Sequence, residues 1–225
     1  DAEFLAMAER YVARGFHELK VRVGAGPVAA DDRRLALLRE TFGDRITLAI
    51  DANGAWKPDE AIDNLRALAR FDLVYAEQPI APGNWNAMER VAMAVPVPVM
   101  LDEGVATAAD IDRIIAARGR LWAHLKLIKL GGMTPTVESA RKLADAAVPF
   151  MVGQMNEGAA ATAAAFHCAV ATQAAHAELY GADGLLDDPV CGVTYANGEV
   201  HVGRAPGLGV TLDTSALRTL WEIRA

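Results

Sequence analysis

The chain has 225 residues, 52% of them hydrophobic and 23% charged, which is enough to bury a substantial core and excludes a disordered segment. Its formal charge is −7, and lysines and arginines are scattered singly with no basic run, so a nucleic-acid surface is excluded and a small molecule is the expected partner. No apolar run reaches the roughly 18 residues of a membrane span; the nearest, Ala-rich residues 158–175, is broken by Thr162, His167, Thr172 and Gln173 and reads as a buried helix.

The opening DAEFLAMAERYVARGF lacks the basic start and small-residue cleavage site of a signal peptide. It reads as a helix that Asp1 can cap and Gly15 can end. From there, short β-branched or apolar runs alternate with longer segments of helical period, the pattern of βαβ units and a parallel sheet. The strands in order are HELKVRV (17–23), ITLAIDA (46–52), LVYAEQP (73–79), VPVMLDE (97–103), AHLKLIK (123–129), PFMVGQM (149–155) and HAELYG (176–181). Helices are predicted between them over 30–41, 58–70, 85–94, 108–117, 135–146 and 159–172. Thr107 and Thr134 are the expected N-caps of two of these, the second followed by proline at the first helical position.

An open doubly wound sheet alternates in the same way, but it carries a glycine-rich phosphate turn after an early strand. Gly24-Ala25-Gly26 lacks the third glycine and enters no immediate helix, so it reads as a plain loop. Cys168 and Cys191 form no CxxC pair and suggest neither zinc nor a disulfide framework; they read as reduced thiols of a cytoplasmic protein. A single domain over 1–225 is expected.

Charged residues inside apolar strands are the informative exceptions, because burying an unpaired charge is costly. Asp51, Glu77, Asp102 and Lys126 follow one another at separations of 26, 25 and 24 residues, the acids each near the end of a strand and Lys126 within the following one. Equal spacing on successive parallel strands predicts four charged side chains at one depth, at the carboxyl end where barrel active sites lie. Three carboxylates without His or Cys offer hard oxygen ligands suited to Mg²⁺, with Mn²⁺ as the substitute. An ion held there can bind a substrate carboxylate and stabilise the enediolate left when the adjacent carbon loses a proton. Lys126, between Leu125 and Leu127, is the expected base. Lys129, before Gly131-Gly132, is expected at the rim. Lys20 and Arg22 lie two apart on the first strand, so they share a face and can both point inward across the acids.

The motifs LKVRVG, IDANGAW, AEQP, LDE, LKLIKLGG, VGQMNEG, ELYG and PGLGVTLD resemble, along essentially the whole chain, the successive barrel strands of the enolase superfamily, muconate-lactonizing subgroup. A lysine on the fifth strand of this chain, with no His-Asp dyad, is nearer that subgroup than the mandelate racemase one. The resemblance implies a TIM-like (β/α)7β barrel with Asp51, Glu77 and Asp102 holding Mg²⁺. It further implies Lys126 as one acid/base, the second basic residue of a KxK motif as the other, and a homo-oligomer. Asn53, Gln78, Glu103, Glu157 and Glu178 are implied to support the metal or face the substrate, and ELYGADGLLDDP followed by PGLG is closer to cycloisomerases than to dipeptide epimerases. The first barrel strand and the family's N-terminal capping domain have no counterpart in this sequence, so the chain is expected to be part of a longer one.

One residue departs from the pattern. The second member of KxK is Arg22, and an arginine stays protonated at ordinary pH. One-base chemistry such as cycloisomerisation by Lys126 is therefore the expectation, with Lys20 and Arg22 stabilising negative charge. Racemisation or epimerisation of N-acyl amino acids or dipeptides, dehydration of acid sugars, and a non-catalytic relative stay open as alternatives.

Overall fold

A computed structural model describes residues 1–217 and 221. Helix α1 (Ala2–Ala13) leads into β1 (Glu18–Arg22), and the chain then alternates through α2 (Val28–Phe42), β2 (Thr47–Asp51), α3 (Pro58–Leu68), β3 (Leu73–Glu77), α4 (Trp85–Ala94), β4 (Val99–Leu101) and α5 (Ala108–Ala116). It continues through β5 (Leu121–Lys126), α6 (Leu127–Leu130), α7 (Met133–Asp145), β6 (Phe150–Gly153), α8 (Ala159–Thr172) and β7 (His176–Glu178). Strands β1 to β7 form one parallel sheet in sequence order. Short strands β8 (Val190–Cys191), β9 (Val193–Ala196), β10 (Glu199–Val202) and β11 (Thr211–Leu212) follow as two small antiparallel pairs.

The sheet curls into a barrel because each strand carries large apolar residues on the helix side and a second, inner set. Leu48, Ile50, Val99, Leu101, Ala123, Leu125 and Val152 join the core between strands and helices, whereas Ala49, Tyr75, Met100 and Met151 pack together inside the barrel. Inner side chains of alternate strands form layers, the arrangement expected of a TIM barrel. Trp122 and His176 from β5 and β7 stack near the amino end with Tyr75 of β3 edge-on to the imidazole, which meets Glu18 of β1 at 3.1 Å. One layer nearer the mouth, Lys20, Glu77, His124 and Glu178 come from the same four strands. Contacts between β1 and β7 through Glu18–His176 and Lys20–Glu178 bring the first and last strands of the sheet within side-chain reach. His124 has room only because β6 places Gly153 beside it: a Cβ there would lie 2.0 Å from Nε2.

Several boundaries differ from expectation. The fifth strand ends at Lys126 and the chain turns into α6 at Leu127, closed by Gly131 at φ 92°. Helix α7 begins at Met133 with Gly132 as its N-cap, so Pro135 is its third residue and Thr134 is inside it; Gly132 at φ 121° sets the start. The helix expected over 58–70 ends at Leu68 and tightens into a 3₁₀ turn to Phe71. Asp1 precedes α1 without a side-chain capping bond, its carbonyl accepting from the Leu5 N–H, while Gly15 follows the helix at φ 93° as expected. Thr107 caps α5 in a reciprocal box with Asp110. Among the described residues no helix is long and apolar enough to cross a membrane.

Gly153→Ala should cost roughly 1–3 kcal/mol, since the fully buried imidazole cannot retreat. Combining it with His124→Ala should cost clearly less than the sum of the single changes, a coupling measurable by urea denaturation.

Candidate metal and proton-transfer site

Each acid reaches the mouth because its strand ends there. Asp51 and Glu77 are register partners on β2 and β3, and Asp102 directly follows β4. All three are buried, at 5%, 1% and 4% exposure, as is Lys126 at 6%. The equal spacing does not put the four at one depth. Strand stagger instead makes His124 the β5 member of the Glu77 layer, and Lys126 lies one inward position nearer the mouth, reaching back to Asp102 Oδ2 at 2.7 Å. Its Nζ also faces Met155 Sδ at 3.8 Å, on the loop after β6.

Lysines supply most of the counter-charge. Lys20 donates to Glu77 Oε2 at 2.7 Å and to Glu178 Oε2 at 2.8 Å. Burial pulls the Lys20 ammonium down, but the two carboxylates more than offset it and hold it above its ordinary value, which makes Lys20 a fixed cation and a poor base. Lys129 is not at the rim as expected. The α6 turn folds its side chain back, so that Nζ donates to the Asp102 carbonyl and to Asp102 Oδ1 at 2.5 Å. Burial, outweighing Asp102, lowers the Lys129 pKa. Burial alone would raise Asp102, but neighbouring His124, Lys129 and Lys126 together hold it at about 2. The two lysines carry that effect, because burial and the charges of Lys126 and Lys20 keep His124 well below its usual range and therefore neutral.

Asp51 and Glu77 are less well compensated. Burial, then the neighbouring Glu77 charge, raises Asp51 to about 6, and burial raises Glu77 despite Lys20. Among the described residues the ligand atoms of Glu77, His124 and Glu178 lie within 4.8 Å of one another, while Asp51 and Glu77, two buried carboxylates pushed upward beside Asp102, form the environment a divalent cation relieves. The residues present therefore fit such an ion.

The supporting positions divide. Gln78, in the left-handed region at φ 37° and fully buried, accepts from the Asp102 and Gly104 N–H groups at 3.0 Å each and donates to the Ile80 carbonyl. It brackets the ends of β3 and β4 and aims Asp102. Asn53, at φ 44°, donates its backbone N–H to Asp51 Oδ1 at 2.9 Å and its side-chain amide to Glu103 at 3.3 Å. Glu178 joins the cluster through Lys20. Glu157 instead turns onto its own loop and accepts from the Met155 N–H. Arg22 pairs in register with Asp51 and is exposed. The glycine of ELYG is required by packing, since a Cβ at Gly181 would meet the Gln154 amide at 1.8 Å.

Sequence reasoning missed His124, although Trp122, His124 and Lys126 at period two on β5 mark one inward face. Its Nδ1 lies 2.8 Å from Glu77 Oε1, and its Nε2 has no partner.

Asp51 gives a pH signature. Its folded pKa lies above the ordinary value of 3.8, so the fold gains stability as pH falls from above 6 toward 4 and loses that contribution on the way back up. Asp51→Asn should stabilise the metal-free chain at pH 8 by about 2 kcal/mol and flatten its melting temperature between pH 5 and 8, measured by calorimetry.

The chain matches the family described as Enolase C-terminal domain-like over residues 3–216. It is 31% identical over 213 residues to the L-Ala-D/L-Glu epimerase of Bacillus subtilis, covering 92% of this chain and 58% of that enzyme. It is 28% identical over 204 residues to muconate cycloisomerase 1 of Pseudomonas putida, covering 88% and 54%. The solved muconate lactonizing enzyme from Pseudomonas putida superposes with a TM-score of 0.86 at 27% identity, over 94% of this chain and 60% of that one. The chain thus spans just under three fifths of the length of these relatives, and its curled seven-stranded sheet corresponds to part of their TIM-like barrel. By the family match and this likeness of fold, the chain belongs to the enolase superfamily, as an Enolase C-terminal domain-like barrel.

Proposed function

We propose that this chain is the barrel portion of a Mg²⁺-dependent enzyme that removes the proton α to the carboxylate of a small substrate. Asp51, Glu77 and Asp102 hold the ion, and Mn²⁺ can replace it. The observation that carries the reading is the set of three buried acids, two of which, Asp51 and Glu77, burial pushes upward, Asp51 to about 6. When bound, the ion supplies positive charge to the substrate carboxylate as negative charge develops on it.

The side chains divide the remaining work. Lys126 takes the proton: it lines the barrel, and its Nζ faces both Asp102 and the loop residue Met155. Lys20, fixed between buried Glu77 and half-buried Glu178, cannot leave that post without leaving the Glu77 carboxylate unpaired, so it stabilises charge. Lys129 and Gln78 hold Asp102 by its backbone and side chain. Arg22 stands where a second base is implied, and a guanidinium is a poor proton acceptor, which favours one-base cycloisomerisation of the muconate type.

Epimerisation of dipeptides or N-acyl amino acids is the second reading, favoured by the 31% identity to the Bacillus subtilis epimerase. Deuterium incorporation separates the two. One-base chemistry exchanges the α-proton in D₂O with retention of configuration, whereas epimerisation delivers deuterium with inversion.

In the intact protein, Lys126→Ala should lower turnover and α-proton exchange by about 10²–10⁴-fold while Mg²⁺ binding measured by calorimetry changes little. Unchanged turnover would sink the reading. Arg22→Lys should raise exchange with inversion relative to retention on an N-acyl amino acid; a ratio that stays fixed counts against Arg22 as the reason for one-base chemistry.

A further inference from the structure

One cation at the mouth has no counter-charge. Arg22 ends β1, is exposed, and makes no hydrogen bond or ion pair among the described residues. Asp51, its register partner on β2, accepts instead from the Asn53 N–H. The lysines of the same cluster are engaged: Lys20 by Glu77 and Glu178, Lys126 and Lys129 by Asp102. Arg22 is therefore the cation of this cluster left available to a ligand.

Its direction follows from the strand, in which alternate residues face one side. On β1, Glu18 meets His176 and Lys20 meets Glu77 inside the barrel, whereas Val21 and Val23 join the core outside it. Arg22 continues the inner row one step above Lys20, at the carboxyl end where barrel sites open. In the sheet order β1 lies beside β2 and four strands from β5, which carries Lys126. Arg22 and Lys126 thus flank the acids of β2, β3 and β4 from opposite sides.

That arrangement orients a bound substrate. With one carboxylate at the ion and the α-hydrogen aimed at Lys126, the other substituents of the α-carbon turn away from β5 and toward β1. A guanidinium standing there is a poor base but a good receptor, since its planar fork of N–H donors matches a carboxylate through two parallel bonds. We infer that Arg22 grips a second carboxylate of the substrate, the one that does not touch the ion, and so selects dicarboxylates over monocarboxylates. The inference rests on the functional reading for the place of the first carboxylate, but the grip on the second needs no proton transfer.

The test titrates the intact protein, with and without Mg²⁺, with succinate and glutarate and with the monomethyl ester of each. Calorimetry gives the affinities, and the Nε–H resonance of Arg22 in ¹⁵N-arginine-labelled protein, assigned by its absence from Arg22→Lys, reports the contact. The wild type should bind at least one diacid about tenfold more tightly than its monoester, and that diacid alone should shift the Arg22 resonance. Arg22→Gln should erase the preference while the monoester affinity changes little, and Arg22→Lys, which keeps the charge and loses the fork, should restore part of it. A wild type that does not prefer either diacid overturns the inference, as does a preference that survives in Arg22→Gln. Equal weakening of diacid and monoester in Arg22→Gln also overturns it, because it puts the guanidinium on the reacting carboxylate. An Arg22 resonance that ignores both diacids does so even if Arg22→Gln fails to fold. Mg²⁺ binding without a preference for a diacid removes this inference and leaves the functional reading, whereas a preference lodged in Arg22 without any Mg²⁺ binding does the reverse.

Discussion

Like charges confined inside a barrel are the constraint on which this structure turns. Asp51, Glu77, Asp102 and Glu178 converge with Lys20, Lys126 and Lys129, and every ion pair among them is at least partly buried. Removing one partner from such a network leaves a buried charge uncompensated, at a cost of several kcal/mol, so no member is free to drift independently. The carboxylates still outnumber the lysines by one, and Asp51, which belongs to none of those ion pairs, is raised to about 6 by burial first and by the Glu77 charge second. An uncompensated acid is a liability for folding and an asset for binding a cation, and the fold tolerates the first because the inner cluster of Ala49, Tyr75, Met100 and Met151 and the core outside the strands hold them in place.

Around that network, backbone conformations are selected for positioning. Asn53 and Gln78 both adopt left-handed geometry within two residues of the ends of strands that deliver acids. Non-glycine residues accept that conformation only where surroundings over-determine it. Here the determination is visible: Asn53 is tied to Asp51 and Glu103, and Gln78 to Asp102, Gly104 and Ile80. The two residues turn the chain away from the mouth while leaving the preceding carboxylates aimed into it.

How much of this was legible in the sequence depends on whether a residue contradicts its surroundings. Asp51, Glu77, Asp102 and Lys126 stand out as charges within apolar strands, and the alternation of apolar runs with helical segments identifies seven strands, four of which carry them. Lys129 was invisible as a site residue because LKLIK reads as continuing strand. Only the turn at Leu127 brings Nζ back to Asp102, and apolar periodicity does not distinguish one turn of helix from three residues of strand. The start of α7 was misplaced for a related reason, since Thr-Pro is a strong capping signal but Gly132 already supplies the positive φ at which the helix begins.

Depth was the other quantity the spacing could not supply. Residue separation measures the length of a βα unit, whereas height in a barrel depends also on stagger between strands, and stagger is fixed by closure of the whole sheet. The consequence is chemical. Had Lys126 shared the Glu77 layer, it would have been locked between glutamates as Lys20 is; instead a neutral histidine fills that layer and the lysine stands above it, held through one acid and facing the mouth. The division between a fixed cation on β1 and the lysine on β5 proposed to transfer the proton thus follows from which residue the stagger delivers to each layer, with His124 in the layer that Lys126 leaves.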